Sequence, residues 1–228
     1  MHNFFDNNGL PVSDISFEHL DKAPLVINIG RQLGSGGRTI GKILARELGL
    51  DYYDKEILDI AARESGFCTE IFERSDEHKG FFQSFFGNVV PIFGHTTEFC
   101  QSQVSDENLF RLQSDAIRKA VAQGRGGVFI GRCADYVLRD YPNCLNIFLS
   151  ANREDRIALI AQRQHVSEAE AAKLMQRGDE RRASYYNYYA TGSWGAASNY
   201  HLCLNTSKLG LEPTAQLILQ YVKALCQQ

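Results

Sequence analysis

The chain has 228 residues, of which 44% are hydrophobic, 22% charged and 11% aromatic. That balance supports a globular core and excludes intrinsically disordered and fibrous classes. Its 24 Lys and Arg stand against 27 Asp and Glu, a formal charge of -3, so no overall positive field draws a nucleic-acid backbone and no nucleic acid is expected as a partner.

Residues 1–23 carry no periodic pattern, no basic start and no apolar run, and read as an N-terminal extension to a domain over 24–228. Leu25 to Ile29 then form an apolar run that ends abruptly in GRQLGSGGRT, a buried strand followed by a glycine loop. Beyond Arg38, the residues Ile40, Ile43, Leu44 and Leu48 recur at helical spacing and Gly49 supplies a left-handed stop, which predicts a helix of about three turns. The stretch LDYYD suggests a second short strand ending at Asp54, and Ile57, Ile60 and Ala61 mark a helix that stops near Gly66.

Eight of the 14 phenylalanines fall between Phe67 and Phe99, among Gly80, Gly87, Pro91 and Gly94. Residues 67–106 are therefore expected to form an irregular insert packed by aromatics. Regular structure resumes with a helix over Glu107 to Gln123 and a strand over Val128 to Ile130, closed by Gly131 and Arg132. A strand over Cys144 to Leu149 leads into a helix carrying Ile157, Ile160 and Ala161, and Ser167 with Glu170 has capping-box spacing ahead of another. His201 to Thr206 reads as the last strand and Pro213 as the opening of a C-terminal helix.

No apolar run reaches the ~20 residues of a membrane-spanning helix, so a soluble, cytoplasmic protein is expected. The six cysteines lie far apart with no C-x-x-C, and Cys144 and Cys203 sit within apolar runs. All six are expected to be reduced core residues, with no zinc site. Short apolar strands alternating with amphipathic helices imply a parallel sheet covered on both faces, whose ligands bind beyond the carboxyl ends of the strands.

The loop has the composition of a phosphate cradle, because Gly34, Gly36 and Gly37 tolerate the backbone angles that turn N–H groups inward and a helix begins behind them. It does not match G-x-x-x-x-G-K-[ST], since Gly37 stands at the lysine position and Arg31 at the first glycine. A phosphate-binding cation must then come from elsewhere. Arg38 is the nearest candidate, and Arg31 enters the loop from the strand side. An arginine at a helix start is also commonly just solvated, and a glycine loop after a strand can be a simple turn.

Several separated blocks, in order, resemble the cytidylate kinase-like family of P-loop proteins: INIGRQLGSGGRTIGKILARELGLDYYDKEILDIAARESG, GRCADYVLRDYPNCLNIFLSANREDRI, GDERRASYYNYY and NYHLCLNTSKLGLE. The resemblance implies an α/β three-layer sandwich with a five-stranded parallel sheet in the order 2-3-1-4-5. It places an acceptor subdomain in the insert and a lid-like region near 153–182. The implied activity is transfer of the ATP γ-phosphate to a nucleoside monophosphate, CMP or dCMP by resemblance, with ATP and Mg²⁺ as cofactors.

In this family a Gly-Arg pair ends the third strand with its arginine toward the acceptor phosphate, and Gly131-Arg132 is similar, although Cys133 replaces the usual acidic residue and Asp135 is the nearest carboxylate. Asp179 and Arg182 reproduce an Asp-x-x-Arg pair that binds the acceptor, and i, i+3 spacing puts both on one helix face. A surface ion pair is the plainer reading. Asp54 matches an acceptor-site aspartate or caps the following helix. Arg153, Arg156 and Arg163 lie where nucleotide kinases place lid arginines or form a solvated face.

Gly34, Ser35, Gly36, Gly37, Arg38 and Thr39 are the expected nucleotide-binding set, Thr39 being the hydroxyl best placed for Mg²⁺ and Ser35 the second choice. Arg38, Arg132 and Arg182 are the expected catalytic cations. Six aromatics in the 17 residues SYYNYYATGSWGAASNY suit a core, a homodimer interface or a base-stacking wall, with Tyr185 the best ligand contact at i+3 from Arg182. Two further readings remain: a nucleotide-binding or sensing protein that has lost transfer activity with its loop lysine, and a kinase of another small acceptor.

Overall fold

The computed structural model describes residues 23–55 and 106–226. The chain divides into two compact units, one of residues 1–55 with 117–228 and one of 56–116. The whole sheet lies in the first. The helix expected between Ile57 and Gly66, and all but the last residue of the 67–106 insert, fall outside the described residues.

Strands β1 (Val26–Arg31), β2 (Asp51–Tyr53), β3 (Gly127–Ile130), β4 (Cys144–Ser150) and β5 (Leu202–Asn205) form one sheet, β2-β3-β1-β4-β5, in which every neighbouring pair is parallel. The strand feeding the glycine loop is central, with Ile27 beside Val128 on one side and Leu145 on the other. Val26, Ile27 and Ile29 are fully buried, which explains why β1 reads as continuous apolar sequence rather than alternation.

Between the strands run α1 (Gly37–Leu48), α2 (Asp106–Ala122), α3 (Ala134–Val137), α4 (Arg153–Gln164), α5 (Glu168–Tyr189), α6 (Thr206–Leu209) and α7 (Leu211–Cys226). Gly36 caps α1 at φ 80° and Gly49 ends it at φ 65°, both left-handed positions where a side chain would be strained. Ile40, Ile43 and Leu44 of α1 and Ile218, Leu219 and Val222 of α7 bury against Ile27, Ile29, Ile130, Ile147 and Leu149. Each such side chain contributes about 1.5–3 kcal/mol. Among the described residues no helix is long and apolar enough to cross a membrane.

The capping-box spacing is realised at α5, where Ser167 Oγ accepts the Glu170 N–H at 3.2 Å. That helix runs on to Tyr189, so the charged stretch and the first four tyrosines of the aromatic segment share one 22-residue rod. One expectation is corrected. Cys203 is exposed rather than part of the core, because β5 is an edge strand whose Leu202 and Leu204 pack inward while Cys203 and Asn205 face out. Cys133 and Cys226 are buried and Cys144 is half-buried, while Cys68 and Cys100 lie outside the described residues.

Helices α4 and α5 pack through Ile157, Ile160, Ala171 and Met175, and Leu33 of the glycine loop joins that cluster. The Leu33 N–H donates to Asp179 Oδ1 at 2.7 Å, and its carbonyl accepts from Arg156 Nε, also at 2.7 Å. Arg156 and Asp179 close the triangle by pairing with each other. Arg156 is 6% exposed, and a buried cation that loses its carboxylate typically costs about 3–5 kcal/mol. Asp179→Ala is therefore expected to lower the thermal midpoint by roughly 10 °C. An Arg156→Met/Asp179→Leu double variant should recover only part of that loss, since the Leu33 N–H and carbonyl then lack both partners, as differential scanning calorimetry will register.

Candidate nucleotide and phosphate site

The loop over residues 32–36 leaves the carboxyl end of the central strand and is held from several sides. Gly34 has φ 84°, and a Cβ there would stand 2.8 Å from the Arg156 carbonyl oxygen. A Cβ on Gly36 would run into Leu211. Ser35 is fully buried, and its hydroxyl donates to the Gln32 carbonyl at 2.9 Å. Its own carbonyl accepts from Thr206 Oγ1 at 3.1 Å, while Gln32 Oε1 accepts the Ala151 N–H at 3.3 Å. Glycine is thus required at 34 and 36 by conformation and by space. The outcome is a loop wrapped ahead of the α1 N-terminus, whose partial positive charge and unpaired N–H groups suit an anion.

Around it stand arginines from separate parts of the chain. Gly131, Arg132 and Cys133 occupy the left-handed region in succession, at φ 73°, 58° and 53°. For Arg132 and Cys133 this conformation costs of order 1–3 kcal/mol each, and it delivers the Arg132 guanidinium to 5.0 Å from the Tyr185 ring centre. Arg182 donates to the Gly178 carbonyl at 3.0 Å and lies 3.6 Å from Asp179. The expected Asp179–Arg182 pairing on one helix face is therefore present, although Asp179 also ties down Leu33 and Arg156. Arg38 is half-exposed and lies 3.8 Å from Asp54.

Arg31, at the end of β1, feels all three of these arginines. Burial first, then the charges of Arg182, Arg38 and Arg132, pull its guanidinium down to about 9, far below the range usual for arginine. The same two causes lower Arg182, with Asp179 opposing. The unfolded chain keeps the Arg31 proton to higher pH than the folded one. Burial of the Arg31 charge, with the repulsion of its neighbours, accordingly costs stability at neutral pH, and the cost fades as pH rises past about 9. A polyanion bound here would offset the repulsive part.

The groups beside the loop do not fit a bare divalent cation. Thr39 Oγ1 accepts from Arg163 at 3.0 Å, Ser35 Oγ is turned into its own loop, and Asp54 faces Arg38. Among the described residues no three His, Cys, Asp or Glu side chains gather as a metal site. The donor set suits phosphate and would meet Mg²⁺ only as part of a phosphate complex.

Two features escaped the sequence reading. Arg156, one of three candidate lid arginines, is internal, whereas Arg163 reaches the loop helix and Arg153 stays exposed. The second is the partner of Asp135, which is half-buried on α3 and accepts from the Tyr186 hydroxyl at 2.7 Å; desolvation raises its carboxyl above the usual range while that hydrogen bond opposes the rise. Its i, i+1 neighbours gave no hint, since the partner lies 51 residues away.

Residues 26–208 match the cytidylate kinase-like family. No curated protein matches the chain. Among solved structures, an uncharacterized protein from Eubacterium ventriosum is similar at 25% identity and a TM-score of 0.66, over 87% of this chain and 98% of that one. A shikimate kinase from Acinetobacter baumannii, solved with shikimate, is similar in fold at 12% identity and a TM-score of 0.50, over 92% and 98%. The family match begins at the first residue of β1 and continues into α6, taking in the loop, the arginines and the α4–α5 pair, so the chain belongs to the cytidylate kinase-like family.

Proposed function

We propose that this protein is an ATP-dependent phosphotransferase whose acceptor itself carries a phosphate, a nucleoside monophosphate, with CMP or dCMP the default from family likeness. The observation that carries the reading is the convergence of Arg31, Arg38, Arg132 and Arg182 beside a glycine loop at the end of the central strand. Two phosphate groups of like charge must meet for transfer, and a cluster of mutually repelling arginines is matched to that load.

In this reading the N–H groups of Gly34 to Gly37 cradle the donor phosphates and Arg38 neutralises them at the helix start. Arg132 and Arg182 hold the acceptor phosphate, with Tyr185 beneath Arg132 and Asp54 on the acceptor side. Asp179 keeps Arg182 and the loop in place. An acceptor phosphate oxygen attacks the γ-phosphorus, the bond to the β-phosphate bridging oxygen breaks, and ADP and a nucleoside diphosphate leave. Mg²⁺ bound with ATP would neutralise its phosphates, and Thr39, whose hydroxyl accepts from Arg163, is the side chain that would hold it. ATP supply places the work in the cytoplasm.

A second reading, a nucleotide-binding protein without transfer, is favoured by Gly37 at the lysine position and by the Arg163 contact to Thr39. Coupled ADP release separates the two. Turnover that appears only when CMP, dCMP or another monophosphate is added supports the kinase. ATP binding with no release for any acceptor supports the second reading, and release driven by an uncharged small alcohol identifies a different acceptor class.

Two variants sharpen the test. Arg182→Ala should lower acceptor-dependent turnover by roughly 10³, the scale of an arginine that stabilises transferring phosphoryl charge, with little change in melting temperature. Gly36→Val should weaken ATP binding at least tenfold by calorimetry, since its side chain would enter Leu211 at a left-handed position. Unchanged affinity would mean that the loop is only a turn.

A further inference from the structure

We propose that Arg31 replaces the lysine that a P-loop carries at the start of its helix, reaching from the end of β1 across Gly37 to the phosphate that the loop cradles. The inference rests on the phosphate-binding reading above and adds to it the cation that the loop itself lacks.

Aligned to G-x-x-x-x-G-K-[ST], the chain departs at two positions that matter here, with arginine where the first glycine belongs and glycine where the lysine belongs. The structure makes these one event. A Cβ on Gly37 would stand 2.8 Å from Arg31 Cγ and 3.0 Å from Arg31 Cβ, so the arginine stem occupies the space that a side chain at 37 would leave by. Further out, a Cβ on Gly131 would run into Arg31 Nη1 and stand 3.1 Å from its Cζ. The stem therefore lies on the first residue of α1 and the guanidinium on the end of β3, next to Arg132. Glycine at 37 and at 131 keeps that track open.

A side chain on this course passes the donor-phosphate cradle with its stem and sets its charge at the strand end where Arg132 stands, between the two proposed phosphate positions. A structural arginine is ordinarily matched by carboxylates. Here, among the described residues, the charges of Arg182, Arg38 and Arg132 act against it. A guanidinium fork also offers two parallel N–H donors to two phosphate oxygens, where a lysine offers a point charge. The departure from the pattern thus moves the cation without losing it.

The full-length protein is titrated with ATP in a calorimeter as wild type, Arg31→Met, Arg31→Lys, Gly37→Lys and Arg31→Gly/Gly37→Lys, and each is melted without nucleotide. Arg31→Met is expected to weaken ATP binding at least tenfold while its own melting temperature stays level or rises, because a like charge has left the cluster. Arg31→Lys should retain part of the affinity. Gly37→Lys alone should bind poorly, since the two stems collide, and the double variant, which restores glycine and lysine to their ordinary places, should recover most of the loss. Wild-type affinity in Arg31→Met overturns the proposal, as does a fall of several degrees in its melting temperature with no recovery in the double variant. Wild-type protein that binds ATP yet never releases ADP overturns phosphotransfer and leaves the Arg31 result standing. Failure of the wild type to bind ATP overturns both.

Discussion

Residues 32–36 are too short and too glycine-rich to hold one shape alone, so the conformation on which the site depends is imposed from outside. Leu33 is gripped through its N–H by Asp179 and through its carbonyl by Arg156, Ser35 through its carbonyl by Thr206, and Gly36 by the side chain of Leu211. These contacts come from α4, α5, α6 and α7, all later in the chain than β4. The loop's geometry is therefore set by partners more than a hundred residues away in the chain. A buried ion pair is a weak source of stability by itself, and at Arg156 and Asp179 its value is positional: it orients both donors and acceptors on one peptide.

The arginine cluster shows the opposite economy. Arg31, Arg38, Arg132 and Arg182 are brought together by the topology, since β1 lies next to β3 and α1 starts where β1 ends. Their mutual repulsion and the left-handed backbone at Arg132 both work against folding. A protein under selection for stability alone would have no use for either, whereas a site for two phosphates needs positive charge already in place before the ligands arrive. Strain and repulsion of this kind at the end of a central strand are what the proposed phosphate site rests on, and a plain glycine turn would need neither.

The fold was legible in the chain because each of its signals is local. Apolar runs of strand length, helical periodicity after Arg38, the left-handed stop at Gly49 and the cap at Ser167 each depend on neighbours within a few residues, and the strand order followed from resemblance over several ordered blocks. Cys203 was misplaced for an equally local reason. An apolar run says that a strand is buried, but only the sheet shows that β5 is an edge with one covered face.

For the site, the sequence by itself determined the inventory: a glycine loop without its lysine, a Gly-Arg pair after β3, and an Asp-x-x-Arg pair on one helix face. Tertiary structure alone decided what each member touches. Asp179 meets Leu33 across 146 positions, Arg163 meets Thr39 across 124, and Arg31 lies on glycines 37 and 131. Pattern and propensity act over a helical turn or a strand pair, while charge and steric exclusion act through space. The path of Arg31 over those two glycines could therefore be read only once the sheet had placed β1 between its neighbours.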